Sequence, residues 1–148
     1  RRIEPDSVKE PIDIPNAGAD VQETYESGIH TFSFEVLQKM LELSPTDNIT
    51  ISPLGISLLL AMIKHGVSIE DQEEIERILY LPGDETELKV CAFKLIKKLQ
   101  GYGVDLASLL YLNDQYRLDP TYQRLASEYY QSKAESGSSA KEINEWVK

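Results

Sequence analysis

Few residues in this chain have intrinsic reactivity: two histidines, one cysteine and a scatter of carboxylates. His30 and His65 have no cysteine or carboxylate at metal-ligand spacing, so neither reads as a ligand or a general base. Cys91 falls on an apolar helical stripe, where a thiol is buried filler. A nucleophilic thiolate needs a cation beside it, and Lys94 is the sole local one. Glu73-Glu74 and Glu85/Glu87 fit anions at helix N-termini better than an acid/base pair. No glycine-rich phosphate loop, HExxH or GxSxG occurs. The residues support no enzyme.

Three other features bear on modification or binding. Tyr25 lies between Glu23 and Glu26 and is either a sulfation site or a plain surface tyrosine. Asn48-Ile49-Thr50 is an N-glycosylation sequon. Lys94, Lys97 and Lys98 share an arc, at about 240°, 180° and 280° around their helix from Leu88. The arc points away from the apolar stripe and is either a site for heparin or another sulfated glycosaminoglycan, or a solvated helix face diluted by Glu87.

The chain that must position these residues has 148 residues and a formal charge of −10. That length is one ordinary domain, and that charge excludes nucleic acid as a main partner. Only residues 84–100 depart from the acidic trend, with four lysines against three carboxylates. One cysteine excludes an internal disulfide. No window holds the roughly 18 apolar residues of a membrane span. The opening Arg1-Arg2-Ile3-Glu4-Pro5 lacks an apolar signal region, which reads as a mature form and leaves secretion open.

Residues 1–27, with Pro5, Pro11 and Pro15, read as an acidic, flexible extension. From Gly28 the pattern is helical, with Ile29, Phe32, Ser33, Val36, Leu37 and Met40 on one face. Ser44-Pro45 ends it. Ile49-Thr50-Ile51 reads as a short strand. Pro53 opens a helix through Lys64 that is apolar nearly all round and needs a core larger than itself. Ser68 with Asp71 caps a third helix, and Asp84 with Glu87 caps a fourth, striped by Leu88, Cys91, Ala92, Leu95 and Leu99. Val104–Leu112 reads as a strand covered on both faces, with no sheet partner nearby. Asp119-Pro120 starts a fifth helix, Ser136–Ser139 is a loop, and Ser139 with Glu142 caps a last helix carrying Ile143, Trp146 and Val147. The unpartnered strand and the unterminated last helix predict the front part of a larger fold.

Asn48-Ile49-Thr50-Ile51-Ser52-Pro53-Leu54-Gly55-Ile56, with Leu59–Gly66, resembles the serpin run "NIxFSPxSI…ALAMxxLGA". Lys141–Val147 resembles the serpin "xxINxWV" helix. Leu112 to Ala134 is similar to the family's strand, helix and "YQAE"-like segment, here Tyr130-Gln131-Ser132-Lys133-Ala134-Glu135. The resemblance runs in order from Gly28 to Lys148. It implies an α+β serpin fold, represented by its N-terminal part: helices A–F with strands of sheets A and B, incomplete without the C-terminal remainder. Residues 28–148 form that part.

By this resemblance the protein is a suicide inhibitor of a serine protease, whose reactive loop is cut and then inserts into sheet A. Ser52, Pro53, Gly55 and Ser108 would lie in the shutter, where the sheet opens, and would do no covalent chemistry. The partners implied are the C-terminal remainder and a target serine protease, with no membrane and no nucleic acid, in an extracellular rather than cytoplasmic setting. Gly55 stands where the family has serine and Ser108 where it has asparagine, and the "VDF" segment after Glu135 is missing. The reactive site is absent from this sequence. Two alternatives stay open: a non-inhibitory serpin (carrier, hormone precursor or chaperone), and a stand-alone acidic helical interaction domain.

Overall fold

A computed structural model describes residues 17–82 and 84–147. Its elements are α1 (Ala19–Leu43), α2 (Pro53–Lys64), α3 (Ile69–Leu79), α4 (Glu85–Gly101), β1 (Leu109–Asn113), α5 (Pro120–Tyr130), β2 (Lys133–Gly137) and α6 (Ala140–Val147).

Local chemistry sets most helix starts. Ser52 Oγ accepts from Gly55 N, with Pro53 in the first turn of α2. Ser68 Oγ accepts from Asp71 N at α3, Asp84 from Thr86 and Glu87 N at α4, and Asp119 from Thr121 N at α5. Each cap satisfies a backbone donor that helix geometry leaves orphaned. At α6, Ser139 Oγ accepts from Lys141 N.

α4 is the centre of the core. Leu88, Val90, Cys91, Ala92, Phe93, Leu95 and Ile96 are all buried, so two faces are covered rather than the single stripe that the spacing predicts. α1 contributes Tyr25, Ile29 and Phe32, α2 contributes Leu58, Ala61 and Met62, and α5 contributes Ala126 and Tyr130. α2 is covered on one side only: Leu59, Leu60 and Ile63 are half-buried and Ile56 is exposed. A helix this apolar is built for more cover than these residues supply.

Four expectations change. The extension ends sooner than residue 27, because α1 runs unbroken from Ala19 through Gly28. Its prolines all lie upstream, in residues outside those described, and residues 19–27 gain packing that their composition does not reveal. Tyr25 is fully buried, and Gln22 Nε2 donates to the Cys91 carbonyl at 3.4 Å. No strand forms at Ile49–Ile51, since a β-branched run is a strand only where a ladder partner exists, and no described residue pairs with it.

The strand expected over Val104–Leu112 is shorter and displaced, at Leu109–Asn113, and half-buried rather than fully covered. It also has a partner. β1 pairs in parallel with β2, from Leu109 opposite Lys133 to Asn113 opposite Gly137, with α5 as the crossover that parallel strands require. Pairing stops where Lys133 N donates to the Ser108 carbonyl, so residues 104–108 have no ladder to join. Ser136 and Gly137, expected in a loop, are the last two residues of β2.

Candidate functional site in the groove between α2, β1 and α6

Ser52 leaves the helical region at φ −117° and ψ 84°, which turns its hydroxyl back onto Gly55 N at 3.3 Å. A Cβ at Gly55 would lie 3.1 Å from that hydroxyl. Glycine therefore keeps this first turn slightly open. The turn forms one wall of a groove of about 710 Å³. It is also lined by the stretch from Leu106 to Tyr111 and by Ile143, Trp146 and Val147 of α6, and Leu58, Ile96 and Tyr130 are buried lining residues.

Ser52, Gly55 and Ser108, named from separate stretches of sequence, thus line one groove. Pro53 is half-buried at the start of the same helix but is not among the lining residues. The walls are apolar with a few hydroxyls and contain no acid, base or nucleophile in hydrogen-bonding array. β1 and β2 form a two-stranded sheet, so each presents an edge with ladder groups unpaired among the described residues.

α6 is held to this groove by a contact that periodicity did not reveal. The Tyr111 hydroxyl donates to the Glu142 carboxylate, and this anion raises the phenol's pKa. Gly137 leaves the room: a Cβ there would fall on the Tyr111 hydroxyl.

The remaining predicted residues lie elsewhere. Lys94 Nζ donates to the Ala17 carbonyl at 3.1 Å, and Lys98 pairs with Glu26 at 3.2 Å. Both therefore reach to α1 and the residues before it, and the arc does not simply face solvent. Lys97 lies over the Phe93 ring, 5.6 Å from its centroid. Asn48 and Thr50 are both exposed, so the expected strand does not hide the sequon. Tyr25 is no surface tyrosine, because its ring is fully buried and burial pushes its phenol up. That position rules out sulfation of the folded chain.

Cys91 is buried and its thiol is raised by desolvation, the opposite of an activated nucleophile. His30 is exposed. His65 does have a carboxylate partner, Glu85, at 2.9 Å. It stands twenty residues away in the chain, beyond any local spacing rule. No group of three or more metal-ligating side chains occurs among the described residues, and no described helix is long and apolar enough to cross a membrane.

Comparison with known proteins agrees with this architecture. The family model for Serpin (serine protease inhibitor) matches residues 27–148. Serine protease inhibitor 42Dd of Drosophila melanogaster is 31% identical over 126 residues, 78% of this chain and 34% of the relative. Leukocyte elastase inhibitor of Xenopus tropicalis is 28% identical over 84% of this chain and 36% of its own length. The chain thus spans about a third of the curated relatives it matches. Among solved structures, Serpin48 of the insect Tenebrio molitor superposes with a TM-score of 0.76 at 22% identity, over 84% of this chain and 36% of that one. Cleaved Serpin 42Da gives 0.74 at 24% identity, over 88% and 37%. These structural likenesses establish the fold. With the family model covering nearly every described residue, the chain belongs to the serpin (serine protease inhibitor) family.

Proposed function

We propose that this chain is the sheet-opening part of a suicide inhibitor of a serine protease, acting together with a C-terminal remainder that carries the reactive loop. The observation that carries this reading is the groove where Ser52, Gly55 and Ser108 meet beside the strand pair. An added strand needs a free edge to pair with and a mobile, apolar support beneath it. The two-stranded sheet offers free edges and the half-covered α2 an apolar face, both of which support this reading. The chain's role is conformational, with the covalent chemistry left to the protease.

A non-inhibitory serpin is the second reading. It is favoured by the two departures from the family pattern, Gly55 and Ser108, both of which line the groove. Secretion, glycosylation at Asn48 and polyanion binding through Lys94, Lys97 and Lys98 belong to the proposal too. The exposed sequon and the exposed Lys97 and Lys98 support them.

The test uses the full-length protein, incubated with trypsin-like, chymotrypsin-like and elastase-like proteases. An inhibitor gives a complex that survives denaturing electrophoresis, and its loop-cleaved form melts at higher temperature. Cleavage without a stable complex and without gain in Tm would reject inhibition in favour of the second reading.

A further inference from the structure

His65 closes α2, directly after Lys64. Its side chain is 1% exposed, and both ring nitrogens are engaged. Nδ1 is 2.9 Å from Glu85 Oε1, on the first residue of α4. Nε2 is 2.8 Å from the Tyr130 hydroxyl, on the last residue of α5. One imidazole therefore bridges three helices. Tyr130 also lines the groove, and β2 begins three residues after it.

Proton accounting assigns the tautomer. An ionised carboxylate only accepts, so Nδ1 carries the hydrogen. In the neutral ring Nε2 is then an acceptor, and the Tyr130 hydroxyl donates to it. A second proton, on Nε2, reverses that bond. Tyr130 must then turn its hydrogen to the Ala61 carbonyl, 3.3 Å away. The cation so formed would be buried beside Lys64 of α2 and Lys89 of α4. Lys64 is itself 2% exposed and committed to Glu76 of α3 at 2.9 Å. Glu85 is the favourable charge, but its side chain is 62% exposed, so solvent screens it. Burial, aided by the two lysines, outweighs Glu85 and holds the imidazole below its ordinary value.

We propose that Glu85–His65–Tyr130 is a proton-sensitive clasp: the neutral imidazole pins α4 and α5 to the end of α2, and protonation loosens that junction together with the groove lining at Tyr130 and the start of β2. The proposal goes beyond protease inhibition and does not depend on it. As pH falls below about 6.5, the unfolded chain binds this proton before the folded chain does. Stability therefore declines on acidification, until the folded imidazole titrates as well.

The experiment uses the full-length protein. Tm is followed from about pH 7.5 to about pH 5.5 for the wild type and His65→Gln. The ring nitrogens of His65 are followed by NMR in the wild type and in Glu85→Gln, whose exposed position spares the fold. The expected results are a loss of Tm on acidification that His65→Gln lacks, an Nδ1–H tautomer, and a titration midpoint below that of a free imidazole that falls further in Glu85→Gln. An Nε2–H tautomer, a midpoint above that of a free imidazole, or a midpoint unmoved by Glu85→Gln would overturn the clasp. So would equal pH dependence of wild type and His65→Gln. If His65→Gln does not fold, the NMR results decide.

Discussion

Gly28→Ala is the substitution on which local and tertiary reasoning disagree in sign. Gly28 lies in the interior of the 25-residue helix α1, where replacing glycine by alanine ordinarily gains about 1 kcal/mol. The structure predicts a loss. A Cβ at this position would lie 2.7 Å from the Tyr80 carbonyl oxygen and 2.8 Å from that of Leu79. Both are backbone atoms, at the end of α3. Tyr80 caps α3 in the left-handed region at φ 55° and ψ 38°, its hydroxyl donates to Glu35 at 2.6 Å, and Leu79 is fully buried. The carbonyls therefore cannot turn aside without disturbing the cap, the hydrogen bond or the core. Overpacking of this kind costs about 1–3 kcal/mol. Set against the helix gain of about 1 kcal/mol, Gly28→Ala should destabilise by up to about 2 kcal/mol. Gly101→Ala is the control, since a Cβ there meets nothing within 4 Å. It should be neutral or gain up to about 1 kcal/mol. Thermal and denaturant unfolding of the two full-length variants, at matched scan rate, reads the difference. A Gly28→Ala protein more stable than wild type by the full helix gain of about 1 kcal/mol would refute the close crossing of α1 and α3.

Glu76→Gln should cost about 2–3 kcal/mol by denaturant titration, because it strands the buried Lys64 ammonium, whereas Lys64→Met should be close to neutral; equal effects would show that the ammonium reaches water. Gly137→Ala should displace Tyr111 from Glu142 and lower stability by about 1–3 kcal/mol. Tyr111→Phe should free α6 without overpacking, and limited proteolysis near residues 138–140 should quicken in both; unchanged cleavage would exclude the tether on α6. Tyr25→Phe should leave Tm unchanged or raise it, because the buried Tyr25 hydroxyl has no hydrogen-bond partner among the described residues. A fall of more than about 1 kcal/mol would show that the hydroxyl is paired.

The sequence by itself was enough for whatever is settled within a few residues. Ser68, Asp84 and Asp119 were legible as helix starts because each side chain meets an orphan N–H two or three positions on, and Pro53 because its ring suits a first turn; the Ser52 cap was not read. The runs around Ser52-Pro53 and Ile143–Val147 identified the family, whose resemblance implies one region for Ser52, Pro53, Gly55 and Ser108; three of these four line one groove. Whatever depends on a distant partner was decided by the tertiary structure. β1 moved and shortened because a strand extends only as far as its ladder, and β2 supplies that ladder from Lys133. Gly28 looked like a helix start, but it marks the place where two helices touch backbone to side. Lys94 and Lys98 looked like a solvated cationic arc until Ala17 and Glu26 were seen to hold them. His65 appeared to lack a carboxylate because Glu85 comes twenty residues later and is brought to it only by the packing of α4 on α2. Caps and motifs are short-range and survive in one dimension. Ladders, helix crossings and buried charge pairs join residues whose separation along the chain carries no signal of their contact.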